Sequence, residues 1–93
     1  MNNAEAEALS ILMLQLNSKM NDSVWFVKEK DTLEAFEEYR MQAGQVMGTL
    51  FLIMKAIYDK HPDLRPVQLG GEYVLDTSIY KDRFYTPSQI EKS

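Results

Sequence analysis

The chain has 93 residues, a net charge of -4, 45% hydrophobic and 26% charged residues, and no cysteine. That length holds one domain, the composition is globular rather than disordered, and the missing cysteine excludes disulfides, thiolate metal sites and thiol catalysis. No lysine or arginine run offers a phosphate-binding stripe, so no nucleic-acid partner is expected, and the most apolar run, Val46 to Met54, is far short of the ~20 residues that cross a bilayer.

No basic segment precedes the first apolar residues, unlike a secretory signal, so a cytoplasmic setting is expected. From about residue 4 to 22, Leu9, Leu12, Met13, Leu16 and Met20 recur at steps of three and four, which reads as an amphipathic helix. Glu5 and Glu7 sit in its first turn, where carboxylates favour the helix dipole. Ile11 lies off the stripe, so the apolar face is wide enough for more than one neighbour. Asn21, Asp22 and Ser23 form a polar cluster of the kind that ends one element and begins another. Val24, Trp25, Phe26 and Val27 form a short apolar run that periodicity alone does not assign, a strand-like connector or a last helical turn; the connector is preferred, with Trp25 packing over the end of a helix pair and Lys28 to Lys30 as a solvated link.

The second helix, about residues 31 to 60, organises the chain. Leu33, Phe36, Ala43, Met47, Leu50, Met54 and Ile57 form one seam at steps of three and four, broken only by Arg40, along a helix roughly 45 Å long. Asp31 and Glu34 have the spacing of a capping box, with Thr32 as an alternative cap. Gly44 and Gly48 share a face, and each weakens a helix by ~1 kcal/mol relative to alanine, which points to close approach of another backbone. Val46 to Met54 is apolar almost all round, more than one short helix can cover. Pro62 ends the helix near Asp59 to His61.

Beyond it lies a tail, residues 64 to 93. Leu69 to Glu72 reads as a turn, Tyr73 to Leu75 as a short strand or extended arm, and Thr77 to Tyr85 as holding a helical turn or two, with Ser88 to Ser93 fraying. The tail carries four aromatic residues without a period, the pattern of an arm anchored onto a surface built by something else. Tyr73, Tyr80, Phe84 and Tyr85 either pack back on the hairpin or a second copy, or dock on a different protein.

Chemistry is sparse. His61 between Asp59 and Asp63 offers three metal ligands on paper, and Glu34, Glu37 and Glu38 have the helical spacing of a magnesium-binding cluster, which needs a second acidic group on a facing helix. A serine nucleophile would have to use the single histidine, and Gly70 and Gly71 lack the rest of a phosphate loop. No cofactor is expected. These residues imply a mainly α protein: a helix hairpin with one long second helix and an irregular aromatic tail, paired as a homodimer in a four-helix bundle. Ala43, Gly44, Met47, Gly48, Leu50, Phe51, Met54 and Ile57 are the expected interface. The expected role is a small interaction protein, an adaptor, chaperone or regulatory subunit. The alternative is an all-α metal-dependent hydrolase using the helix carboxylates.

Overall fold

The computed structural model describes residues 1–88. Two helices of 28 residues, α1 (Asn3–Lys30) and α2 (Leu33–Lys60), fold against each other as a hairpin. Three short 3-10 turns follow, at Pro62–Leu64, Val67–Leu69 and Thr77–Tyr80. The mainly helical hairpin expected from the apolar spacing is therefore present, and it sets the long dimension of 45 Å. The fraying expected of the last residues lies, beyond Ser88, outside the described residues.

Capping accounts for how each helix begins. Asn2 accepts from the Glu5 amide at 2.8 Å while Glu5 accepts from the Asn2 amide at 2.8 Å, a reciprocal box that satisfies two otherwise orphaned donors. At the hairpin turn Thr32, not Asp31, caps α2, accepting from the Ala35 amide at 3.2 Å. Asp31 instead ends α1, and its carboxylate takes the Thr32 amide at 2.7 Å. Two residues thus close one helix and open the next.

One expectation is corrected. The break at Asn21 to Ser23 and the connector at Val24 to Val27 are absent, because α1 runs unbroken to Lys30. Asp and Ser interrupt helices when their side chains compete for the local backbone. Here Asp22 is engaged elsewhere, and toward the backbone Ser23 makes only the back-bond to the preceding turn that a continuous helix can carry. Ser23 Oγ donates to the Met20 carbonyl at 2.6 Å and accepts from the Tyr39 hydroxyl at 2.7 Å, whereas Asp22 turns toward the tail. Trp25 consequently lies mid-turn on α1, with Lys28 Nζ 4.7 Å from its ring centre, a cation over an aromatic face.

The core is the stripe where the helices meet. Ala6 and Met13 of α1 pack with Leu50, Met54, Ile57 and Tyr58 of α2, and Leu64 closes the end. Inside it the hydroxyls of Ser10 and Tyr58 meet at 2.6 Å, so neither buried polar group lacks a partner. At the open end Asn3 staples the chain, donating to Asp63 at 2.9 Å and meeting His61 Nδ1 at 3.1 Å.

Past α2 the chain reverses around Gly70 and Gly71. Gly70 has φ of 85°, and a Cβ on Gly71 would lie 2.0 Å from the Arg65 carbonyl oxygen, so both positions demand glycine. The turn brings Tyr73 beside Pro66 in a single parallel bridge, and no strand forms among the described residues.

Tyr58→Phe should lower stability by about 1–2 kcal/mol, since Ser10 is left buried without its partner. Adding Ser10→Ala should recover part of that loss, because both polar groups are then gone. Chemical denaturation of the four members of the cycle measures it, and strict additivity would mean that the two hydroxyls do not interact.

Candidate functional site

The expected interface residues divide between two environments. Ala43, Leu50, Met54 and Ile57 are buried in the described chain, with Leu50, Met54 and Ile57 in the core cluster, and Met47 is half-buried. Gly44, Gly48 and Phe51 are exposed, and a Cβ at either glycine would meet nothing within 4 Å. The close crossing suggested by the glycines is therefore not made by α1. Met41 and Leu52, at 67% and 68% exposure, extend the same outer side of α2 as an apolar strip. Phe51 stands between two shallow grooves, one walled by Tyr58, Arg65 and Leu69 and the other by Leu14, Tyr80 and Arg83.

The tail lies along α1 as a strap. The Tyr73 hydroxyl donates to Glu7 at 2.5 Å, Gln15 Nε2 donates to the Ile79 carbonyl at 3.1 Å, and Lys19 pairs with Asp82 at 3.3 Å. Further on, Phe26 holds the Phe84 and Tyr85 rings at centroid distances of 5.3 Å, the Tyr85 hydroxyl donates to Glu29, and Ser88 donates to Glu29 at 3.1 and 3.2 Å. Glu7, Gln15, Asp22, Phe26 and Glu29 recur at near-helical intervals, so one side of α1 carries the strap. Tyr73, Tyr80 and Tyr85 are half-buried and Phe84 is exposed.

Asp22 is the fixed point of the strap. Its side chain is 1% exposed and accepts from Arg83 Nη2 at 2.6 Å, from Arg83 Nε at 3.0 Å and from the Phe84 amide at 3.1 Å, with the Tyr85 amide at 3.5 Å. Burial pushes the carboxyl upward, but the Arg83 hydrogen bonds and charge and the two backbone amides outweigh it and hold Asp22 below the usual aspartate range. Arg83 is raised by the same contact. Along the strap, the Tyr85 and Ser88 hydrogen bonds hold Glu29 low, whereas the Glu7 carboxylate raises the Tyr73 phenol. Sequence reasoning missed this latch because 61 residues separate the partners. The local signal was a lone Asp one helical turn before Phe26, mirrored by Arg83 next to Phe84 and Tyr85.

The metal candidates do not converge. Glu34 and Asp59 lie 25 residues apart on one straight helix, so roughly 38 Å separates the two acidic ends. Glu37 pairs with Arg40 at 2.7 Å, and Asp59 pairs with Lys55 at 2.9 Å. His61 and Asp63 are joined through Asn3. Among the described residues no three His, Asp or Glu side chains form a group able to hold a metal ion. No described helix is long and apolar enough to cross a membrane.

No family model matches this chain, and neither a curated protein nor a solved structure is detectably similar to it. Function is read from the chain's own geometry.

Asp22→Ala should cost about 2 kcal/mol, below the ~3–5 typical of breaking a fully buried pair because Arg83 is 41% exposed and can return to water. With its folded value lowered, Asp22 stabilises the protein in full above the ordinary aspartate value of 3.8, and the contribution disappears as pH falls through the lower folded value. The Arg83 Nε–H resonance should therefore hold its position at neutral pH and shift only in acid. A shift near pH 6 would contradict this account. Millimolar magnesium or manganese should leave the melting temperature unchanged, since specific binding to the native state would raise it.

Proposed function

We propose that this chain is a small protein–protein interaction protein, of adaptor, chaperone or regulatory-subunit type, that works as a homodimer with two hairpins closed into a four-helix bundle. The observation that carries this reading is the apolar surface left over once α1 has taken its share of α2. Met41, Val46, Phe51, Leu52 and Ile53 all remain 40% exposed or more, on both flanks of the buried stripe. Large apolar side chains on adjoining turns are costly in water, and contiguous patches of them mark interaction surfaces. A second hairpin is the economical cover, because four helices enclose a core that two can only line.

The outer strip of Met41, Gly44, Gly48 and Leu52 would then remain for a different protein. Its glycines would let a partner helix come close, and its long apolar residues would flank the contact. A cytoplasmic setting belongs to the same reading, in keeping with a cysteine-free composition.

Light scattering of the full chain across a dilution series tests the assembly. The expected mass is twice the 10.8 kDa of one chain, with dissociation only at the dilute end. A mass of one chain at every concentration overturns the reading.

A further inference from the structure

Of Arg40, Arg65 and Arg83, Arg65 alone has a guanidinium with no hydrogen-bond acceptor among the described residues. Arg40 donates to Glu37 at 2.7 Å and Arg83 to Asp22 at 2.6 Å, whereas the carboxylate closest to Arg65 is Asp59, 4.0 Å away and beyond hydrogen-bond reach. Yet the Arg65 side chain is only 39% exposed. An arginine holds its N–H donors in a fixed fork, and covering them without an acceptor costs free energy.

This guanidinium belongs to the groove between α2 and the turn beyond it. Phe51, Met54 and Tyr58 line the groove from α2 and Leu69 from the second 3-10 turn, and its volume is about 190 Å³. The charged residues lining it, Lys55 and Arg65, are both positive. Backbone bonds hold the far wall in place. The Arg65 amide donates to the Pro62 carbonyl at 3.3 Å, the Arg65 carbonyl accepts from the Tyr73 amide at 3.0 Å, and the Leu69 amide donates to the Pro66 carbonyl at 2.9 Å. Walls fixed before a ligand arrives lose little freedom when it binds.

We propose that this groove binds a small monocarboxylate with an apolar body. Its carboxylate takes the Arg65 fork with Lys55 beside it, and its body lies on Phe51, Met54, Tyr58 and Leu69. The fork matches a carboxylate with two N–H donors on two oxygens, and the remaining walls suit a hydrocarbon. The volume falls below the ~300 Å³ at which pockets for drug-sized ligands begin, so the body is a short chain or a single ring. Asp59 lies 2.9 Å from Lys55, so two cations against one carboxylate leave a single positive charge for the ligand, which favours a monoanion over a phosphate dianion. Every lining residue belongs to one chain, so this inference goes beyond the dimer reading and does not depend on it.

Hexanoate is the probe and hexanamide its uncharged match, each titrated into the full chain and followed by NMR. Hexanoate should produce saturable shifts at the Arg65 Nε–H and at the Met54 and Leu69 methyls, and hexanamide should bind at least ~10-fold more weakly, the worth of a charged hydrogen bond. Arg65→Gln should lose a similar factor for hexanoate with its helical circular dichroism unchanged, because the bonds that hold Arg65 in place are those of its backbone. N-acetyl-leucine separates two sources of the carboxylate: tighter binding than hexanoate assigns it to the end of a protein chain, weaker binding to a free acid, and either result supports the site. Equal affinity for hexanoate and hexanamide overturns the charge pairing. Shifts that do not saturate, or that miss Met54 and Leu69, overturn the site. These comparisons use the native chain, so they decide the matter even where Arg65→Gln fails to fold. Solution mass read on the same samples keeps the two readings apart, since a monomer that binds hexanoate overturns the dimer alone.

Discussion

Two helices laid side by side bury only the stripe where they touch, and that constraint governs the rest of this molecule. With 28 residues in each helix and no third helix of comparable length among the described residues, the stripe holds a narrow core from Ala6 to Leu64, and both flanks of it start out open. The tail answers on one flank. It has no period of its own because it follows the pattern of another element, meeting α1 at Glu7, Gln15, Asp22, Phe26 and Glu29. Apolar residues on both sides of the buried stripe of α2, Phe51 and Leu52 as well as Val46 and Ile53, keep their exposure.

The strap is held by polar rather than apolar contacts, and Asp22 concentrates them. An ionised carboxylate at 1% exposure is tolerated because donors from Arg83 and from two successive backbone amides replace the water it has lost. Such a contact adds little net stability over an apolar pair of similar size, but it is demanding about geometry. Only one register of the tail places the Arg83 guanidinium and the Phe84 and Tyr85 amides around one carboxylate. The same register sets both aromatic rings on Phe26. An aromatic arm that would otherwise slide along α1 is thereby fixed at one position.

Local rules and tertiary rules disagree most at Asn21 to Ser23. By composition this cluster ends a helix, because Asp and Ser side chains offer the backbone competing hydrogen bonds. The break does not occur: Arg83 holds the Asp22 side chain, and Ser23 bonds back to the Met20 carbonyl within the helix while accepting from Tyr39. The choice between Asp31 and Thr32 as cap of α2 is of the same kind. Both have a suitable oxygen, and the tight turn assigns Asp31 to the end of α1 and leaves Thr32 to begin α2. Gly44 and Gly48 point in the other direction. Their spacing on α2 was legible, but within the hairpin neither meets a neighbour.

The sequence by itself determined the two amphipathic helices, the seam of Leu50, Met54 and Ile57, the stop at Pro62 and the turn at Gly70 and Gly71. Each of these follows from residues within a few positions of one another: a period, a ring without an N–H, a missing Cβ. Only the tertiary structure decided that α1 continues through Asp22, that the tail lies along α1, and which apolar residues remain outside. Those outcomes depend on partners about 60 residues apart, such as Asp22 with Arg83, and a one-dimensional pattern records which residues are apolar or charged without recording which of them meet.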